Sequence, residues 1–215
     1  VSNNTRVATV SRSGNTVTVS HVNKTTGVTT ITVSCTAGTN YTAPSNKTVD
    51  VVAKFVSNVL NENDWSVISD VSASNEGSTY WAVGDRKAIT INGTVGTKSI
   101  NGTYYVYILG FNHNSSREGN GITFGGFKTA LSGGTDICLI DDNYNSYSTG
   151  GQKWFNMNHS SNTNSGGWKG CDLRYDVLGS TNVNNGDATS TCATSPVSGT
   201  LMAALPSDLR AVMKP

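Results

Sequence analysis

The sequence predicts a mainly β protein in two regions, an incomplete β-sandwich followed by an α+β domain. Three observations carry this expectation. Val, Ile and Thr alternate with period two in the first quarter of the chain, and Gly or Asn interrupts them about every ten residues. A stretch with helical spacing follows, and beyond it short apolar segments recur between loops rich in Asn, Ser and Gly. With 215 residues, the chain has room for one large domain or two small ones.

In residues 1–55, Val7-Ala-Thr-Val10 reads as the first strand, and the Ser13-Gly14-Asn15 turn leads to Thr16-Val-Thr-Val-Ser20. A turn at 24–27 precedes Val28-Thr-Thr-Ile-Thr-Val-Ser34, a loop spans 38–44, and Thr48-Val-Asp-Val-Val-Ala-Lys-Phe55 closes the set. Four strands are too few for a complete sandwich, so partners are expected from elsewhere. Residues 56–78 are expected to form a junction with a short helix, capped by Asn61 or Asn63, in which Trp65, Ile68 and Val71 recur at helical spacing. A loop at 72–78 follows. The α+β region, 79–215, opens with the strands Ala88-Ile-Thr-Ile91 and Thr103-Tyr-Tyr-Val-Tyr-Ile-Leu109. Residues 112–170 are loop-rich, with apolar pieces such as Asp136-Ile-Cys-Leu-Ile140. Pro206-Ser-Asp-Leu-Arg-Ala-Val-Met213 carries a last helical signal.

Composition narrows the function classes. Charged residues are 13% of the chain, about half the usual share, and Ser, Thr, Asn and Gly make nearly half of it. Lys and Arg total 15 against 14 for Asp and Glu, so no basic excess exists to neutralise phosphates and nucleic acid is not an expected partner. No apolar run approaches the ~20 residues of a membrane helix, so membrane insertion is not expected either. The polarity comes from hydroxyls and amides, as in extracellular proteins. Cys35 stands apart from Cys138, Cys171 and Cys192, and no pair has zinc-knuckle spacing. Free, partly buried thiols are expected, with Cys171–Cys192 the one plausible bridge.

Two resemblances rest on particular motifs. Arg6-Val-Ala-Thr-Val10, Gly14-Asn-Thr-Val-Thr-Val19, Thr30-Ile-Thr-Val33 and Asn40-Tyr-Thr-Ala-Pro44 resemble the second half of a bacterial immunoglobulin-like domain, found in invasin-type adhesins and on phage virions. That likeness implies an immunoglobulin-like β-sandwich portion over 1–55 without the family's first strands. It also implies that Val1 is not the biological start and that the chain is a fragment or cleavage product. In the second region the likeness runs from Trp81-Ala-Val-Gly-Asp-Arg-Lys87 and Ile91-Asn-Gly93 to Tyr107-Ile-Leu-Gly-Phe-Asn-His-Asn114. Gly121-Ile-Thr-Phe124, Gly166-Gly-Trp-Lys-Gly-Cys-Asp-Leu-Arg174 and Leu205-Pro-Ser-Asp-Leu209 continue it. These resemble an uncharacterised domain of surface proteins from gut Firmicutes and their phages, which implies a C-type-lectin-like α+β fold. Members run on to a Trp-Trp-Leu-Arg-Ser-Pro-like motif. Its absence implies either a truncated lectin-like fold or further chain outside these residues.

Few residues stand out as chemistry. Of His21, His113 and His159, only His113 has flanking amides to fix its tautomer, and none has a nucleophile or carboxylate at a diagnostic spacing. Asp141-Asp-Asn-Tyr-Asn145 gathers oxygens without an EF-hand pattern, so a solvated turn is expected, with no metal and no cofactor. Asp85, Glu118, Asp136, Asp172 and Asp176 include no evident catalytic pair. Trp168 reads as a core staple opening a short amphipathic helix with Leu173, and Arg174 as a partner for a buried carboxylate such as Asp85. The candidate ligand contacts are Trp154, Asn156, Asn158, Tyr144, Tyr147 and His113, rings and amides in Gly/Asn loops.

Together these point to a non-enzymatic display protein on a virion surface, a head fibre, tail or decoration component. Its expected partners are host-surface or mucus glycans and other virion proteins. Homo-oligomerisation is compatible with that role, although no heptad pattern specifies it. The alternative is a secreted or wall-attached bacterial adhesin, extracellular or on the cell surface. A glycan-processing enzyme ranks third.

Overall fold

In the computed structural model, the alternating Val/Thr segments pair as antiparallel strands, β1 (Ala8–Ser13) with β2 (Thr16–His21) and β3 (Gly27–Val33) with β4 (Lys47–Ala53). The structure describes residues 1–22, 26–95, 98–139, 148–149, 152–153, 163, 165, 167–171, 173–179 and 193–214. The protein is mainly β, built from small antiparallel sheets, and divides into two compact units, Val1–Ser57 and Asn58–Pro215. Among the described residues, no helix is long and apolar enough to cross a membrane.

In the first unit, Gly14 takes φ +57° at the first central position of the two-residue β1–β2 turn, a conformation that favours glycine. The N-terminal segment lies along the other edge of β3. The Thr32 amide donates to the Val1 carbonyl (2.8 Å), and the Asn3 amide to the Thr30 carbonyl (3.1 Å). Thr29, buried beneath this segment, bonds Ser2 Oγ at 2.6 Å and donates to Asn3 Oδ1 at 3.0 Å, so its hydroxyl is satisfied. Val7, Ala8, Ile31 and Ala53 are buried, while Val17, Val19, Val33 and Val49 stay exposed. Cys35 is a free, exposed thiol rather than a partly buried one.

The second unit is organised by a three-stranded antiparallel sheet, β5 (Arg86–Val95), β6 (Lys98–Phe111) and β7 (Ile122–Lys128). On β5, period two puts Lys87, Ile89, Ile91, Gly93 and Val95 on one face, opposite Val106 and Ile100 of β6. Ile89, Ile91, Val95, Ile100, Val106 and Ile108 are all buried. A short strand pair, β8 (Ser148–Thr149) with β9 (Gln152–Lys153), stands apart from this sheet.

Helix α1 (Trp65–Ala73) buries Trp65, Val67, Ile68 and Val71. Its N-cap is Asp64, not Asn61 or Asn63. The Asn63 side chain bonds the Val59 carbonyl at 2.9 Å, and Asn61 Oδ1 accepts the Ala88 amide at 2.7 Å. Both asparagines therefore hold the 3-10 turn Leu60–Glu62 and its contact with β5. At the other end Asn75 is left-handed (φ +63°), with the Glu76 amide bonding Val71 O and the Asn75 amide bonding Ser72 O, a Schellman stop. The expected loop at 72–78 is shorter in the structure, because Gly77–Tyr80 forms a helical turn, α2.

Further short helices are α3 (Ser115–Glu118), α4 (Gly167–Gly170), α5 (Leu201–Ala204) and α6 (Ser207–Arg210). Thr200 caps α5 through its hydroxyl, which accepts the Ala203 amide at 3.3 Å. The last helical signal is thus shorter than its sequence span. Where α5 crosses β5, a Cβ on Gly93 would sit 2.9 Å from Ala204 Cβ and 3.2 Å from its Cα, so only glycine allows this approach.

Lys87 is the exception in the apolar row. Its ammonium is buried, donates to the Asn63 carbonyl at 2.5 Å and lies 5.1 Å from the Trp65 ring centroid. Burial lowers the Lys87 pKa from the ordinary 10.5, partly opposed by the charges of Asp64 and Asp208.

Two outcomes follow from this packing. Gly93→Ala is expected to lower stability by about 1–3 kcal/mol in a urea melt, because the added methyl would meet the backbone as well as the side chain of Ala204. An unchanged midpoint would show that α5 lifts off freely. Because the folded state binds fewer protons at Lys87 than the unfolded chain, its contribution to stability rises with pH between the lowered value and 10.5. Wild type should therefore gain on Lys87→Met as pH rises through that window, in parallel denaturant melts. A constant difference would refute the depressed pKa.

Candidate functional site

The turn that leaves β6 is fixed by a left-handed asparagine. Asn112 has φ +56°, its amide donates to the Gly121 carbonyl at 2.7 Å, and its Oδ1 accepts the Gly121 amide at 2.9 Å. These bonds close the 112–121 loop. Asn112 Nδ2 also donates to Oδ1 of Asn75, the residue that stops α1, at 2.5 Å. Asn120 Nδ2 reaches the Ala73 carbonyl at 3.1 Å. Asparagine suits both left-handed positions because its short amide bonds locally and tolerates positive φ. Lys214 then straps the C-terminal segment to the loop, donating to the Glu118 carbonyl at 2.8 Å and also to that of Asn120.

Between α1, the inner sheet face and residues 205–214 lies a cleft of about 400 Å³. Ile68, Ile89 and Val106 form its buried floor, and the Trp65 ring meets Phe124 edge to face at 5.3 Å. Phe127, Leu209, Val212 and Met213 are half-buried on its sides. The polar groups Asn112, His113, Asn114, Glu118 and Lys214 gather at its edge, where the last four are exposed. Glu118 Oε1 is already held by Asn114 Nδ2 at 2.6 Å. The Nε2–Cε1 edge of the His113 ring crowds Gly110, where a Cβ would clash with both atoms, and among the described residues nothing hydrogen-bonds the imidazole.

The sequence-derived candidates separate accordingly. His113 sits at the mouth of the cleft. Tyr144, Tyr147, Trp154, Asn156 and Asn158 lie outside the described residues, as do His159, Asp172, Cys192 and the acidic stretch at 141–145. Trp168 was expected in the core, yet it is 53% exposed, whereas Trp65 and Trp81 are at 4% and 3%. The single turn α4, with left-handed Gly167 (φ +51°) at its start, carries the indole outward, and Leu173 is exposed on a separate helical turn, Leu173–Val177. No amphipathic helix joins them.

Arg174 is buried. Asp85 accepts the Ala82 amide at 2.9 Å and Asp136 pairs with Lys128 at 2.7 Å, so these carboxylates serve local turns. Cys138 is exposed rather than partly buried. Cys171 is a free thiol donating to the Trp168 carbonyl at 3.1 Å. Among the described residues, no group of three or more His, Cys, Asp or Glu is placed to hold a metal ion.

The cleft itself was missed in sequence. Its signal was the spacing of Leu205, Leu209 and Val212, an apolar stripe wider than one short helix needs. Comparison of the chain with protein-family models, curated proteins and solved structures gives no match.

The packing of His113 is open to a direct check. Gly110→Ala should push the imidazole off the strand and shift its ring resonances in a heteronuclear NMR spectrum while the sheet amides of β5 keep their positions. Unmoved ring signals would mean that the histidine does not rest on Gly110.

Proposed function

We propose that the chain is a non-enzymatic surface-display protein, a phage virion component of the head-fibre, tail or decoration type, that attaches to host-surface or mucus glycans through its second unit. The observation that carries this reading is Trp168, the one exposed tryptophan among those described. Burying an indole is strongly favourable, so one held outward on a glycine turn is available to a partner. A sugar presents a C–H face that stacks on such a ring, and hydroxyls that exchange hydrogen bonds with amides. The low charge and the abundance of Asn, Ser and Thr suit the same contacts. The immunoglobulin-like and C-type-lectin-like resemblances supply the setting, a module on a stalk or shell with a binding domain attached.

Trp168→Ala tests the contact. The side chain is exposed, so stability should change by no more than about 0.5 kcal/mol. Binding on a glycan array or to host cells should weaken about tenfold, as for a contact worth ~1.4 kcal/mol. Undiminished binding would remove Trp168 from the site. A protein that binds no glycan and no host surface would defeat the attachment reading altogether.

A further inference from the structure

We propose that the cleft of the second unit is a binding site for a small amphiphile with an uncharged, hydrogen-bonding head, separate from any glycan contact at Trp168. Seven large apolar side chains that line this cavity, Ile122, Phe124, Phe127, Leu205, Leu209, Val212 and Met213, are only partly buried. Its volume of about 400 Å³ falls within the ~300–1,000 Å³ of small-molecule sites and is too small for a protein domain. Apolar walls of this extent reject a free sugar, whose hydroxyls would lose water without gaining partners. They accept an alkyl or aryl arm.

The mouth selects the head. It carries one acidic and one basic side chain, Glu118 and Lys214, each already bonded to the protein. The opposite charges cancel, so neither an anionic nor a cationic head is favoured. What remains at the mouth are the exposed His113 imidazole and Oδ1 of Asn114, whose Nδ2 is held by Glu118, and these suit hydroxyls or amides. The Lys214 strap and the Asn75–Asn112 bond hold the walls in place before a ligand arrives, which lowers the entropy lost on binding.

Calorimetric titration with n-octyl β-D-glucoside below its micellar concentration tests this on the whole chain. Saturable binding to one site is expected. Hexyl glucoside should bind more weakly, by about fourfold for each methylene removed. Octanoate should bind no tighter than octyl glucoside, and glucose should not bind. Ser69→Trp, which fills the cleft from α1, and Met213→Glu, which charges its wall, should each weaken binding about tenfold or more while thermal melts show a folded protein. Absence of saturable binding overturns the proposal, as does equal binding by both folded variants. Tighter binding of octanoate, or binding of glucose itself, overturns the assigned ligand class. None of these outcomes depends on Trp168, so failure here leaves the attachment reading standing, and the converse also holds.

Discussion

A buried ammonium must find bonding partners inside the protein, and Lys87 finds them where the approach to α1 meets the first strand of the sheet. Period two on β5 forces this residue inward, in line with Ile89 and Ile91. The Asn63 carbonyl and the Trp65 face receive the charge. Trp65 in turn packs edge to face with Phe124 of β7. One inward lysine thus connects the 3-10 turn, α1 and two strands of the sheet, and it fixes the ring that forms one wall of the cleft. An apolar residue would remove the desolvation cost but leave the Asn63 carbonyl to find another donor.

The second constraint is a pair of left-handed asparagines. Asn75 ends α1 and Asn112 ends β6, and the amide bond between them joins two chain reversals that lie far apart in sequence. The loop they fix presents His113 and Asn114, while Gly110 lets the imidazole lie on the strand. Close approach is managed by glycine elsewhere too, as at Gly93 beneath Ala204. The second unit therefore separates its tasks. Strands and α1 supply a stiff apolar surface, and short polar side chains in the loops determine what the surface shows to solvent.

The first unit lacks this closure. Its pairings are regular, yet valines on both sheets remain exposed, and its few buried residues include Thr29 and Ile31 beneath residues 1–4 and Val7, Ala8 and Ala53 around the start of β3. A two-stranded sheet gains little from hydrogen bonds alone, since water competes for them; burial of one face is what stabilises it. The Thr29 hydroxyl, held by Ser2 and Asn3, takes a place that a larger apolar side chain would fill in a thicker core.

Alternation in Thr16–His21 and Gly27–Val33, and helical spacing across Trp65, Ile68 and Val71, were legible from residue order because each depends on neighbours a few positions away. The mainly β class followed from them. Strand β7 and helix α5 were harder to see. Gly125 and Gly126 break the alternation of β7, and α5 is a single turn whose place depends on the gap at Gly93. The cap at Asp64 was obscured because Asn61 and Asn63, equally good caps by type, are drawn to other backbone groups by the fold. Whether an indole faces in or out cannot be read from the type of residue: Trp81 is buried and Trp168 exposed. Local order determined which segments became strands and helices. Only the tertiary structure decided the cleft, since its walls come from segments as far apart in sequence as Trp65, Phe124 and Met213, and a cavity exists only where distant surfaces meet without filling the space between them.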